Sequence, residues 1–166
     1  SSDEMAGPSG AGSWEQVTRV ESGPMPVTVF GKFADGSDAG ESVSMNLPRL
    51  FKTDLVVAAY RGVGGSELVE VVESAVAAST DSHTTPVAQV PGEGRTVLSF
   101  WAERSSSTTE WTAPEGVTVI SAQAGVGGGR VGSLLAEAQP EAGPYGGLTA
   151  LTDSTSARSA TLTLVL

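Results

Sequence analysis

Apolar and polar positions along this chain change over short distances. Thr96 to Glu103, Thr-Val-Leu-Ser-Phe-Trp-Ala-Glu, is a near-continuous apolar run between a Gly92-Glu93-Gly94 turn and the polar stretch Arg104 to Thr109. It is too short for a typical helix and rich in β-formers, which predicts a central strand buried on both faces. Thr53 to Tyr60, with Leu55-Val56-Val57-Ala58-Ala59, has the same character and is expected to be its partner in the middle of the fold. Ser42 to Leu47 alternates, with Val43, Met45 and Leu47 against Ser42, Ser44 and Asn46, so a half-exposed strand stopped by Pro48 is expected there. Ser159 to Leu166 alternates leucines with Thr161 and Thr163, which predicts a closing strand.

Further strands are expected over Trp14–Val20, Val27–Phe33, Thr84–Val90, Val117–Ala124, Val131–Ala136 and Leu148–Leu151. Pro86 near the start of the third of these marks an edge. Ser66 to Ala78 admits two readings. Leu68, Val69, Val72, Ala75 and Val76 fit a helical face opposite Glu67, Glu70 and Glu73, and they equally fit an irregular edge strand. Turn signals at Ser22–Pro26, Ala34–Gly40, Gly62–Gly65 and Gly125–Gly129 separate these runs. The chain has neither an internal repeat nor a heptad. Together these features predict an all-β fold, an antiparallel β-sandwich of about eight to nine strands, Ig-like or jelly-roll-like. Residues 1–13 are expected to be a flexible Gly/Ser/Pro-rich lead-in, and 14–166 a single domain.

Composition agrees with this reading. The chain has 166 residues, 39% of them apolar, with 21 glycines and 9 prolines. That is globular rather than disordered, and suited to short strands joined by tight turns. The formal net charge of −10 repels phosphate backbones, so nucleic acid is an unfavourable partner. Cysteine is absent, which excludes disulfides and thiolate metal sites. No apolar run reaches the ~18 residues that a spanning helix needs, so membrane insertion is not expected. The first methionine stands at position 5 and no signal peptide is visible, as expected of a processed chain or a fragment.

Candidate chemistry is sparse. Asp35, Asp38 and Glu41 place three carboxylates in one loop, as a calcium ion would require, but the spacing is not that of an EF-hand and Asp-Gly is ordinary turn chemistry. Gly125-Val126-Gly127-Gly128-Gly129-Arg130 has glycines like a phosphate cradle, yet no helix or Lys-Ser/Thr pair follows, so a turn is expected. His83, the single histidine, stands beside Asp81 and Ser82. Sequence neighbours do not make triad geometry, and a lone His argues against zinc. Trp111, in a polar setting, is read either as a platform for a sugar ring or as a cap over the open end of the core. Tyr145 is the second candidate for carbohydrate contact. No catalytic constellation emerges, so the chain is not expected to be an enzyme.

The segments Trp14-Glu15-Gln16-Val17, Asp38-Ala39-Gly40-Glu41-Ser42-Val43, Thr53 to Gly62, His83-Thr84-Thr85-Pro86, Ser99-Phe100-Trp101-Ala102, Trp111-Thr112-Ala113-Pro114 and Tyr145 to Ala150 carry a resemblance. From about Trp14 to Leu166 the chain resembles a β-sandwich module of secreted actinobacterial multidomain proteins and of virion proteins of actinobacterial phages. The resemblance implies a structural or interaction module on an extracellular surface, with other protein chains as partners. It carries over no catalytic or ligand residues. In such modules an apolar strand is expected ahead of the Gly7-Pro8-Ser9-Gly10 loop, where this chain has only six residues. Its absence predicts an unpaired sheet edge, filled by a neighbour or by self-association. A carbohydrate-binding module using Trp111 and the acidic loop, with a cell-surface glycan as ligand, is the alternative.

Overall fold

The computed structural model describes residues 6–47, 50–62 and 67–166. Twelve strands form among them: β1 (Glu15–Ser22), β2 (Met25–Gly31), β3 (Val71–Ala77), β4 (Thr80–Thr84), β5 (Ala88–Val90), β6 (Val97–Ser105), β7 (Trp111–Thr112), β8 (Thr118–Gln123), β9 (Arg130–Ala138), β10 (Gly143–Tyr145), β11 (Thr149–Ser156) and β12 (Arg158–Val165). The one helical element among the described residues is a 3-10 turn at Gly36–Asp38. Every strand pairing is antiparallel. The chain is therefore all-β, and its packing is consistent with a β-sandwich.

The largest sheet has the order β3-β12-β6-β9-β8. Side chains alternate across it, and different layers cover its two faces. On one face, Ala102 and Ala160 meet Met25, Val20 and Val27 of the β1-β2 hairpin. On the other, Trp101, Leu134 and Ala136 meet Trp111 and Ala150 of the second sheet, β4-β11-β7. The short β5-β10 pair extends that side over Val97 and Val165. The expectation for Thr96–Glu103 therefore holds in β6. Val97, Ser99, Trp101, Ala102 and Glu103 are all buried, because covering layers lie above and below.

β12 shows how the layers are tied. Its leucines face the hairpin side, and Thr161 and Thr163 face the second sheet, where both are buried. The Thr161 hydroxyl donates to the Thr84 carbonyl at 2.9 Å, and the Thr163 hydroxyl to the Pro86 carbonyl at 2.7 Å. In the same way the Trp101 indole Nε1 donates to the His83 carbonyl at 2.9 Å. Buried donors thus satisfy backbone acceptors of the facing layer, and polar residues enter the core without leaving unmade bonds at these positions.

Several expectations need correction. Thr53–Tyr60 is not a core strand. It belongs to no sheet, and Leu55 and Val57 are 64% and 69% exposed. Ser42–Leu47 is not a strand either; it makes one isolated bridge, Ser9 to Ser44, and Val43 and Leu47 are exposed. The run Thr84–Val90 breaks at Pro86 into β4 and β5, which pair with different strands. Of the two readings for Ser66–Ala78, the edge strand is found, as β3, because β12 offers its seven residues a continuous ladder. The expected stop at Pro48 lies outside the described residues, as does most of the Gly62–Gly65 turn.

The lead-in is held against the body from Gly7 onward. Gly7 packs on the Phe30 ring, Ser9 bridges to Ser44, and the Lys32 ammonium donates to the Ala11 carbonyl. Trp14 Nε1 donates to the Gly10 carbonyl at 3.0 Å.

Candidate functional site

Two features stand out from the framework: a closed polar cluster between the sheets and a bare strand edge. The cluster is built where the β6 end, β4 and β11 converge. Its centre is Glu103, which is completely buried. Nearby, His83 Nε2 lies 3.2 Å from both Thr152 Oγ1 and Ser156 Oγ. Ser105, Thr108 and Ser154 complete a hydroxyl network, with Thr108 Oγ1 3.0 Å from Ser154 Oγ. The His83 ring sits 5.5 Å from the Trp111 ring at a tilt of 56°.

Burial pushes the Glu103 carboxyl above the ordinary carboxylate range. The Ser156 and Thr108 hydroxyls and the Arg130 charge pull the other way without reversing it. Neither hydroxyl makes a well-formed hydrogen bond to the carboxyl, whose two oxygens have no such partner among the described residues. Burial likewise holds the His83 imidazole below its ordinary value, partly offset by Asp81. Gly132 is what admits the carboxylate here. A Cβ at that position would stand 2.8 Å from the Gln123 carbonyl, 3.3 Å from Trp111 Nε1 and 3.4 Å from Glu103 Oε1.

A histidine touching a serine and an acid near that serine invite a catalytic reading, but the connections are in the wrong order. The acid faces the serine and not His83 Nδ1, which has no partner among the described residues. Ser156 and His83 are also buried, at 0% and 1% exposure. Chemically, the cluster is suited to holding a proton inside the fold.

The sites proposed from sequence fall elsewhere. Trp111 is 9% exposed, donates Nε1 to the Gln123 carbonyl at 3.2 Å, and packs with Trp101, Leu134 and Ala150. It caps the core and offers no open platform for a sugar ring. Tyr145, on β10 opposite Ala88, packs half-buried in a separate cluster with Val90, Val97 and Val165, and burial raises its hydroxyl pKa. The fold does not bring these two rings together.

Asp35 caps the 3-10 turn, accepting from the Ser37 amide at 2.7 Å and the Ser37 hydroxyl at 2.6 Å. Asp38 accepts from Lys32 Nζ at 2.6 Å and from the Asp35 amide at 2.8 Å. These bonds hold both carboxyls below their ordinary values, through Ser37 for Asp35 and Lys32 for Asp38. Glu41 donates its amide to the Asp38 carbonyl. The Asp35 and Asp38 carboxyls are thus engaged in the turn itself, and no group of three or more His, Cys, Asp or Glu placed to hold a metal exists among the described residues. The Gly125–Gly129 run is the β8-β9 connection and leads into a strand. The Arg130 guanidinium folds back on it, donating to the Gly127, Ser106 and Thr108 carbonyls.

Sequence reasoning missed Glu103 as a special group. The signal was available: it is a carboxylate inside a run already read as buried on both faces.

The bare edge belongs to β3. The Leu166 amide donates to the Thr96 carbonyl at 2.9 Å, directly opposite in the β12-β6 register. Antiparallel ladders alternate strictly, so even-numbered residues of β12 bond to β6 and odd-numbered ones to β3. Val71, Glu73, Ala75 and Ala77 oppose those odd residues. The amides and carbonyls of Val72, Ser74 and Val76 therefore point outward, and no described residue bonds to them. Residues 73–77 are exposed, and Val76 is 54% exposed. The opposite edge of the sheet, β8, is interrupted by a register shift between Val119 and Ser121. A bulge of this kind blunts an edge, and β3 has no such device.

Compared with known proteins, the chain matches no family model, no curated protein and no solved structure.

Proposed function

We propose that this chain is a non-catalytic structural and interaction module, Ig-like or jelly-roll-like, of an extracellular surface assembly. It would belong to a secreted or cell-surface protein or to a phage virion, and would complete its sheet by accepting a strand from a neighbouring chain. The observation that carries this reading is the outer edge of β3, a regular seven-residue strand with neither bulge nor proline, whose Val72, Ser74 and Val76 turn their amides and carbonyls outward. Strand addition to such an edge draws its affinity from main-chain hydrogen bonds and its selectivity from alternate side chains. The resemblance of the segments quoted above supports the extracellular setting.

The reading is tested with a fluorescent peptide of sequence Val71–Ala77. Fluorescence anisotropy should report saturable binding to the intact chain. Val76→Pro deletes one outward amide and leaves the inner ladder alone, so it should weaken binding at least tenfold without unfolding the domain. Binding that is indifferent to Val76→Pro and to Ser74→Pro would contradict the reading.

A further inference from the structure

We infer that the strand received at β3 is β3 of a second copy, joined about a two-fold axis through Ser74. This rests on the strand-addition reading above and names its partner. Outward backbone groups lie on Val72, Ser74 and Val76. Two β3 strands placed antiparallel about Ser74 set Ser74 against Ser74 and Val72 against Val76, so each outward donor meets an outward acceptor, giving about six inter-chain hydrogen bonds. A one-residue slip would oppose outward groups to inward ones and lose the ladder.

Side chains fit the same register. Val76, 54% exposed in the single chain, is covered by Val72 of the second copy on one face. On the other face Glu73 opposes Ala75, so no like charges stand directly opposite, despite the net charge of −10 on each copy. Glu70, just before the strand, is already neutralised by Arg95 at 2.7 Å. The two Glu73 carboxylates become diagonal neighbours, so their repulsion makes the pair stronger at higher salt.

The association is also self-limiting. A two-fold contact uses the β3 edge of both copies and leaves only the bulged β8 edges at the ends of the joined sheet. A seven-residue edge is small beside standard interfaces, so the dimer is weak and its population rises with concentration.

Sedimentation equilibrium of the intact chain up to about 1 mM, at low and high salt, tests the inference. The expected result is a mass rising from 16.8 kDa towards twice that value and no further. Glu73→Gln should shift the midpoint to lower concentration, and Val76→Pro should abolish the rise while leaving the circular dichroism spectrum unchanged. Should Val76→Pro fail to fold, Ser74→Pro serves in its place. A chain that remains monomeric at the highest concentration overturns the second-copy assignment. If it still binds the Val71–Ala77 peptide at β3, strand addition stands with a different partner. If it binds neither, both readings fall.

Discussion

β6 and the stretch 53–60 are both short apolar runs bracketed by polar residues, and they occupy opposite environments. β6 is flanked by β12 and β9 and covered on both faces. The stretch 53–60 is attached by polar contacts. Lys52 Nζ donates to the Val126 carbonyl at 3.2 Å, and the Ser133 hydroxyl donates to Asp54. The Tyr60 hydroxyl lies by Glu137, and burial together with that carboxylate pushes its pKa up to about 12. The stretch therefore runs along β9 with Leu55 and Val57 facing out. An apolar side chain gains roughly 1.5–3 kcal/mol from full burial, but only where another layer covers it. A hydrophobic run thus sets the capacity for burial, and long-range strand pairing decides whether the capacity is used.

The largest expected effect sharpens this contrast directly. Trp101→Ala removes a fully buried ring and its bond to the His83 carbonyl, and should cost about 3–5 kcal/mol in urea denaturation. Leu55→Ala, in the look-alike stretch, should stay within about 0.5 kcal/mol. Equal losses would mean that 53–60 is buried in solution.

Thr163→Val comes next. It preserves shape but leaves the Pro86 carbonyl without its donor, at a cost of about 1–3 kcal/mol, and Thr163→Ser should recover most of that. A neutral Thr163→Val would show that the hydroxyl does not tie the layers together.

The buried cluster on β6 predicts two opposed pH dependences. Glu103 has its folded pKa raised above 4.5, so its contribution to stability is full below that value and is lost as pH rises through the folded pKa. Glu103→Gln should therefore gain on the wild type as pH rises from the ordinary carboxylate range towards neutrality. His83 has its folded pKa lowered below 6.5, so its contribution is present above that value and is lost as pH falls. His83→Gln should flatten the acid side of the same curve. Thermal melts at a series of pH values check both slopes, and parallel wild-type and variant curves would place these groups in water.

The smallest effect is expected from Asp54→Asn, within about 0.5 kcal/mol, because it touches only the polar attachment of an exposed stretch.

Much of the framework was legible because local pattern and final environment agree. β1, β2, β6, β8, β9 and β12 each carry β-formers bounded by turn residues. The strand over Ser66–Ala78 was only half legible, since Val72, Ala75 and Val76 share a face at helical spacing but split between the two faces of a strand, and only the ladder with β12 decides for the strand. The failures at 42–47 and 53–60 have one cause: nothing local to either stretch states whether a partner strand will be free to receive it. β7 and β10, at two and three residues, are too short to carry a periodic signal. Of the candidate site, the unpaired edge was expected, but not that β3 would be the strand to provide it. The burial of Trp111 depends on Gly132 and the Gln123 carbonyl, which are distant in sequence.

Residue-resolved amide hydrogen exchange along β3, in dilute solution, reads the unpaired edge itself. The expected result is alternation: slow exchange at Glu73, Ala75 and Ala77, whose amides face β12, and fast exchange at Val72, Ser74 and Val76, which become protected as concentration rises. Slow exchange at all of these positions in the dilute monomer would mean that the chain covers its own edge, and would contradict the account.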